Sequence, residues 1–127
     1  MDSTEATDPR QLVDDYLDAL MARDYERARS LLADSGFRYV SPVRSFDNAD
    51  VFIEYILYSG GVVDRMELRK VFVDGGDVCH FLMLTTYLGD KRQTPVVQWT
   101  KVADGRIQHI ELLFDAHDYK QMFELSE

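Results

Sequence analysis

The chain has 127 residues, of which 46% are hydrophobic, and this length predicts one domain with a substantial core. Its 14 lysines and arginines are dispersed and are outnumbered by 23 aspartates and glutamates, which gives a formal net charge of -9. This balance argues against a nucleic-acid partner and against binding to an anionic membrane surface.

Membrane, secretion and metal-binding motifs are not found in the sequence. No apolar run approaches the roughly 20 residues of a membrane span, and the first residues, MDSTEATD, lack the basic and apolar regions of a signal peptide. The single cysteine, Cys79, forms no internal disulfide, which agrees with a reducing compartment. With three histidines and no HExxH motif, we expect neither a metal nor another cofactor, and we expect a cytoplasmic location.

The first part of the chain predicts an acidic tail followed by an amphipathic helix. Residues 1–8 are polar and are expected to be disordered, so the domain is expected to span residues 9–127. Pro9 fits the first position of a helix that is broken at Arg23-Asp24. The apolar residues on one face of this helix are Leu12, Val13, Tyr16, Leu17 and Leu20.

Two further helices and a short strand are predicted next. Residues 25–33 predict a short second helix. Residues 37–40 predict a strand that stops before Pro42, because proline disfavours a helical conformation in the residue before it. Residues 48–58 predict a third helix, with Asp47 as its N-terminal cap.

From Asp64 onward the hydrophobic period changes to two, which predicts strands. The first two cover residues 66–73 and 78–88 and are joined by a turn that contains two glycines. Both faces of the strand over 78–88 are apolar. We assign Phe81 and Met83 to its core side, and His80, Leu82 and Leu84 to its outer side.

The strongest local signal is a hairpin over residues 94–115, TPVVQWTKVADGRIQHIELLFD. Asp104-Gly105 supplies the positive backbone angles that its tight turn needs. Alternation places Val96, Gln98 and Thr100 on the pocket side with Ile110, Leu112 and Phe114, and it turns His109, Glu111 and Leu113 outward. A single bulge would exchange His109 and Glu111 with Ile110 and Leu112.

Helices followed by strands predict an α+β domain, with the helices gathered on one side of a curved antiparallel sheet. After Pro9, the chain resembles the nuclear transport factor two-like (NTF2-like) fold of SnoaL-like polyketide cyclases and ketosteroid isomerases. The segments that carry this resemblance are LVDDYLDALMARDYERARSLLAD, FRYVSPV and KVADGRIQHIELLFD. It implies a cone-shaped barrel of curved, mostly antiparallel sheet with three N-terminal helices packed on its concave side.

The resemblance also implies a pocket with two hydrogen-bond donors. Tyr16 in VDDYLDAL matches the oxyanion-hole tyrosine of the ketosteroid isomerases, and Gln98 in PVVQWTKV matches their protonated aspartic acid. Ser41 in YVSPV stands where their general base would be, but a serine cannot unaided accept a proton from carbon at neutral pH. A buried core tyrosine and a structural amide are the alternative interpretations of Tyr16 and Gln98.

We therefore predict an apolar pocket for a small organic molecule. The predicted ligand-binding residues are Tyr16, Tyr39, Ser41, Tyr55, Met83, Gln98, Leu112 and Phe114. One hypothesis is an enzyme of the isomerase, cyclase or hydratase type that needs no cofactor. The alternative is a non-catalytic domain for ligand binding or for dimerisation and assembly.

The outer face of the predicted sheet is too apolar to be left in water. We predict that it is buried in a two-fold homodimer packed sheet to sheet, with Trp99 as the central anchor. The residues predicted to form this interface are Leu82, Leu84, Trp99 and Leu113.

Overall fold

The structure is a computed structural model that describes residues 8–59 and 63–117. The helices are α1 (Pro9–Met21), α2 (Tyr25–Ser30) and α3 (Ala49–Ser59). The strands are β1 (Arg38–Val40), β2 (Ser45–Phe46), β3 (Val63–Asp74), β4 (Asp77–Leu88), β5 (Asp90–Ala103) and β6 (Arg106–Leu113).

These strands form one curved sheet in the order β2-β1-β6-β5-β4-β3. β1 and β6 are parallel, and the other neighbouring pairs are antiparallel. Helix α1 packs across β3, β4 and β6, and we call the sheet face beneath it the concave face and the opposite one the convex face. The predicted α+β fold, with helices on the concave side of a curved sheet, is confirmed.

The helix starts follow from local capping. The Asp8 side chain accepts a hydrogen bond of 3.1 Å from the Arg10 amide, and Pro9 occupies the first turn of α1. The rest of the predicted acidic tail, residues 1–7, lies outside the described residues. Within the described residues, no helix is long and apolar enough to cross a bilayer. The cytoplasmic location stays a prediction.

Helix α2 is shorter than predicted, and the reason is a tertiary contact. It ends at Ser30 instead of residue 33 because the next residues pair with β6. The Ile107 amide donates to the Leu31 carbonyl at 2.8 Å, and the Ala33 amide donates to the Ile107 carbonyl at 2.9 Å. No sequence pattern near residue 31 indicates a partner so far along the chain.

The predicted hairpin is confirmed. Asp104 and Gly105 both have positive φ angles, 56° and 71°, and they form a two-residue turn between the paired residues Ala103 and Arg106. A register shift follows the turn, because Val102 pairs with Ile107 whereas Lys101 pairs with His109. The bulge lies before His109. It therefore does not exchange His109 and Glu111 with Ile110 and Leu112, and alternation from His109 onward is as predicted.

The face assignment of β4 was wrong. Leu88 pairs with Asp90 around a one-residue turn at Gly89, so even-numbered residues of β4 oppose even-numbered residues of β5. His80 therefore lies opposite Gln98 on the concave face, and Leu82 and Leu84 share that face. His80 is 0% exposed and Leu82 is 5% exposed.

Two predicted roles change as a result. Met83 lies opposite Pro95 on the convex face, not in the core. Leu82 and Leu84 cannot contribute to an interface on the convex face. Trp99 and Leu113 do lie there, 38% and 57% exposed. Alternation alone could not decide the matter, because both faces of β4 carry apolar side chains.

Candidate functional site

A cavity of about 190 Å³ lies between helices α1 and α3 and the concave face of the sheet. Its walls are mostly apolar, with aliphatic side chains from α1, β3 and β4 and aromatic side chains from β1 and α3. This arrangement of an apolar chamber with few polar groups is the usual form of a small-molecule site.

The structure places seven of the eight predicted ligand-binding residues along this cavity. They are Tyr16, Tyr39, Ser41, Tyr55, Gln98, Leu112 and Phe114. Met83 is the exception, and Leu84 takes its place in the lining. Met83 instead borders a shallow depression on the other face, beside Glu67 and Arg69. Ligand contact by the seven residues stays a prediction.

Tyr16 is held in the interior by the apolar face of α1. Its side chain is only 2% exposed. Burial raises the pKa of its hydroxyl well above the usual value of 10.0, and the neighbouring Tyr39 adds to the shift. The hydroxyl makes no hydrogen bond to another described residue. Tyr16 is therefore a neutral donor in the lining of the cavity.

Gln98 is the second predicted donor, and it lies on β5 in the cavity floor. The amide Nε2 donates to Thr100 Oγ1 at 3.1 Å, two residues along the same face. Gln98 therefore has a structural hydrogen bond as well as a place in the lining. An amide carries two N–H donors and one carbonyl acceptor, so this bond uses only part of its capacity.

Tyr39 and Tyr55 belong to an aromatic wall. The Tyr39 ring stacks on Phe52, with 4.3 Å between ring centroids. Burial raises the pKa of Tyr39, and a hydrogen bond with Ser41 opposes part of that shift. Burial also raises the pKa of Tyr55, while the Arg44 guanidinium, 5.7 Å from its ring centroid, acts in the opposite direction. Both phenols are neutral at physiological pH.

Ser41 is occupied by its own loop. Its hydroxyl donates to the Arg44 carbonyl at 3.0 Å and accepts from the Val43 and Arg44 amides at 3.3 and 3.1 Å. These bonds hold the tight connection between β1 and β2. They explain the serine by backbone geometry and give it no basic character.

The sequence did not identify several lining residues. Leu17, Leu20 and Met21 extend the α1 face by one turn and could have been found by helical spacing. Arg23 lines the cavity from the turn between α1 and α2, where no periodic signal exists. Phe52 lines the cavity from α3, but nothing in the sequence connects it with the cavity.

His80 lies on the concave face beside the cavity. Its Nε2 is 2.9 Å from Asp14 Oδ1 on α1, and Asp14 Oδ2 is also 3.5 Å from Arg10 Nε. Among the described residues, Nδ1 of His80 has no hydrogen-bond partner although it is fully buried. His109 and Glu111, 3.6 Å apart, lie on the convex face, as predicted.

We expect Asp14→Ala to lower the free energy of unfolding by about 2 to 3 kcal/mol, because it leaves a buried imidazole without its charged partner. The matched control is Asp18→Ala. Asp18 lies one turn along the same helix and is exposed, so this substitution should change the free energy of unfolding by less than about 0.5 kcal/mol. Urea denaturation of both variants measures the difference. Equal stabilities would show that Asp14 does not support His80.

Comparison with solved structures places this fold among NTF2-like proteins. An NTF2-like protein of unknown function from Cytophaga hutchinsonii is 17% identical, with a TM-score of 0.78 over 94% of this chain and 98% of that one. An LEH-like epoxide hydrolase of M. tuberculosis is 21% identical, with a TM-score of 0.76 over 91% and 90%. A SnoaL-like protein of Shewanella denitrificans is 16% identical, with a TM-score of 0.73 over 92% and 97%.

No family model and no curated protein matches the sequence. At these identities the structural likeness shows the fold and leaves the reaction open. The resemblance inferred from the sequence is thus confirmed at the level of the fold.

Proposed function

We propose that this NTF2-like domain binds a small, mostly apolar molecule that carries a hydrogen-bond-accepting oxygen. One observation carries the proposal: the Tyr16 side chain is buried, and its neutral hydroxyl makes no hydrogen bond to a described residue in the lining of an apolar cavity. A polar group in such surroundings costs free energy unless it is hydrogen-bonded. A ligand oxygen would provide the missing partner.

The volume limits the ligand. An apolar cavity of about 150 Å³ accommodates one benzene molecule. At the packing density of protein interiors, the 190 Å³ available here suits roughly ten non-hydrogen atoms. A ligand with one ring, or with two small fused rings, fits this space. A steroid skeleton exceeds it.

An enzyme of the isomerase, cyclase or hydratase type is the second candidate. Tyr16 and Gln98 both line the cavity, and paired donors can stabilise negative charge that develops on a substrate oxygen. The solved structure of an epoxide hydrolase with this fold is in keeping with such a role. The described lining residues, however, offer no carboxylate or imidazole as a base. Binding without turnover is therefore the better-supported function.

Removal of the phenol tests the proposal. We expect Tyr16→Phe to weaken binding of one-ring and two-ring ketones about tenfold, the usual loss for one hydrogen bond, and to leave the affinity for the corresponding hydrocarbons unchanged. Isothermal titration calorimetry gives both affinities. The control is Tyr58→Phe, because the Tyr58 side chain is 83% exposed and lies outside the cavity.

If the Tyr16→Phe variant lost equal affinity for the ketone and for the hydrocarbon, Tyr16 would only fill space. Turnover assays on the same ketones, with mass-spectrometric detection of products, distinguish the two candidate functions. Product formed by wild type and lost in Tyr16→Phe would favour the enzyme.

The convex face supports a second proposal, a homodimer packed sheet to sheet. Phe72, Phe81, Trp99 and Leu113 are 56%, 39%, 38% and 57% exposed on that face. Phe72 and Phe81 contact each other edge to face, with centroids 5.8 Å apart. This set replaces the interface residues on β4 that were predicted from sequence.

The dimer is tested by sedimentation at micromolar concentration. We expect wild type to sediment as a dimer and Leu113→Lys as a monomer, because a charge would be buried in the interface. Leu57→Lys, at a residue 55% exposed on α3, should remain dimeric. A wild-type monomer would rule the dimer out.

A further inference from the structure

A buried amide on β5 has hydrogen-bonding capacity that the protein does not use. Gln98 is 5% exposed and lies between His80 on β4 and Leu112 on β6. Its Nε2 donates to Thr100 Oγ1 at 3.1 Å, and its side chain makes no other hydrogen bond to a described residue. One N–H and both lone pairs of the carbonyl oxygen Oε1 are therefore left over.

The side chains beside Gln98 do not supply the missing partner. The imidazole of His80 directs its Nε2 to Asp14 Oδ1, 2.9 Å away. Leu112 on the next strand is apolar, and so is Val96, two residues earlier on the same face of β5. A buried carbonyl that has lost its bonds to water costs free energy when no other donor replaces them.

The carbonyl oxygen of Gln98 is accessible from the cavity. Among the described residues, His80 Nδ1 is the one fully enclosed side-chain nitrogen or oxygen that has no hydrogen-bond partner. Gln98 Oε1 also has no partner among them, so protein atoms do not enclose it fully. Because Gln98 lines the cavity, a molecule bound there can reach Oε1.

We propose that the ligand carries a hydrogen-bond donor as well as an acceptor: a neutral hydroxyl or N–H group that donates to Gln98 Oε1, besides the oxygen that accepts from Tyr16. This inference rests on the proposed function, because it names a second polar group of the ligand for the same cavity. A neutral donor fits better than an ammonium group, because no described lining residue is a carboxylate that would balance a buried positive charge.

Ketones that differ at one ring position test the proposal. The donors are 3-hydroxyacetophenone and 4-hydroxyacetophenone, and each is compared with the methyl analogue of matched shape and with the methoxy analogue, which only accepts. Affinities are measured by isothermal titration calorimetry in slightly acidic buffer, which keeps the hydroxyl of the ligand protonated. We expect at least one hydroxy ketone to bind about tenfold more tightly than both of its analogues.

Variants assign this preference to its residue. Gln98→Met has a similar volume and no acceptor, so it should reduce the preference for the hydroxy ketone about tenfold. Gln98→Glu keeps an acceptor oxygen and should retain the preference. The matched control is Gln93→Met, because Gln93 lies on the same strand but borders the depression on the convex face. Thermal unfolding of each variant verifies that it is folded.

The outcomes separate the two proposals. If wild type binds neither hydroxy ketone more tightly than its analogues, the donor requirement is overturned and the small-molecule cavity is left intact. A preference that Gln98→Met retains also overturns it, because the hydroxyl would then bind elsewhere. So does a preference that Gln98→Glu loses, because the amide N–H would then be the recognising group. Binding of none of these ketones counts against the proposed function itself and so against this extension of it.

Discussion

Replacing Phe52 by alanine should lower the free energy of unfolding by about 3 to 5 kcal/mol, the usual cost of removing a buried aromatic ring. Phe52 is 0% exposed. The centroid of its ring lies 4.3 Å from that of Tyr39, 5.5 Å from that of Phe37 and 5.9 Å from that of Phe46. A loss of this size is a large share of the total stability of a small domain, which is about 5 to 15 kcal/mol.

The same variant should change which ligands fit, because Phe52 is part of the cavity wall. We expect two-ring ligands to gain affinity relative to one-ring ligands in Phe52→Ala. Urea denaturation gives the stability, and calorimetric titration with both ligand sizes gives the preference. Leu57→Ala on the same helix, 55% exposed, is the control and should cost less than about 1 kcal/mol. A similar cost in both variants would mean that the aromatic cluster adds little.

The second large effect is loss of stability in alkali. Burial raises the pKa of both Tyr16 and Tyr39 in the folded state, whereas in the unfolded chain both titrate near the usual value of about 10. Below that pH both states are protonated and the contribution is complete. Above it, the unfolded state loses protons that the folded state keeps, so unfolding becomes easier as pH rises.

The slope of this loss can be stated in advance. Each buried tyrosine contributes about 1.4 kcal/mol per pH unit once the unfolded chain is ionised, so the two together contribute about 2.7 kcal/mol per pH unit. Urea denaturation at several pH values between about 9 and 12 measures it, with the full slope reached above about pH 11. Tyr39→Phe should reduce the slope by about half, and Tyr58→Phe, on an exposed side chain, should leave it in place. A free energy of unfolding that does not change with pH over this range would show that folding does not raise the pKa of either phenol.

The sequence predicted those parts of the fold where polarity distinguishes the two faces of an element. In β6, Ile110 and Leu112 alternate with His109 and Glu111, so the inward face was evident even beside a bulge. In β4 both faces are apolar, and a one-residue turn at Gly89 decides between them. Periodicity cannot decide which face of β4 is buried, because a shift of one residue preserves the apolar pattern and exchanges the two faces.

The same distinction applies to the site. Tyr16 and Gln98 could be placed from helix and strand period together with the family resemblance. Arg23 could not, because a residue with positive φ in a turn follows no hydrophobic pattern. The contact of His80 with Asp14 joins residues 66 positions apart. It was missed as a direct result of the β4 error, which had turned His80 outward.

The turn at Gly89 constrains how the length of this chain can vary. Deletion of Gly89 would make Leu88 and Asp90 neighbours in the chain, so this pair could not form and the end of the hairpin would have to open. Insertion of one residue would give the two-residue loop that is commonest in hairpins and would keep the pairs of β4 with β5. The tip should therefore accept an added residue more readily than a lost one.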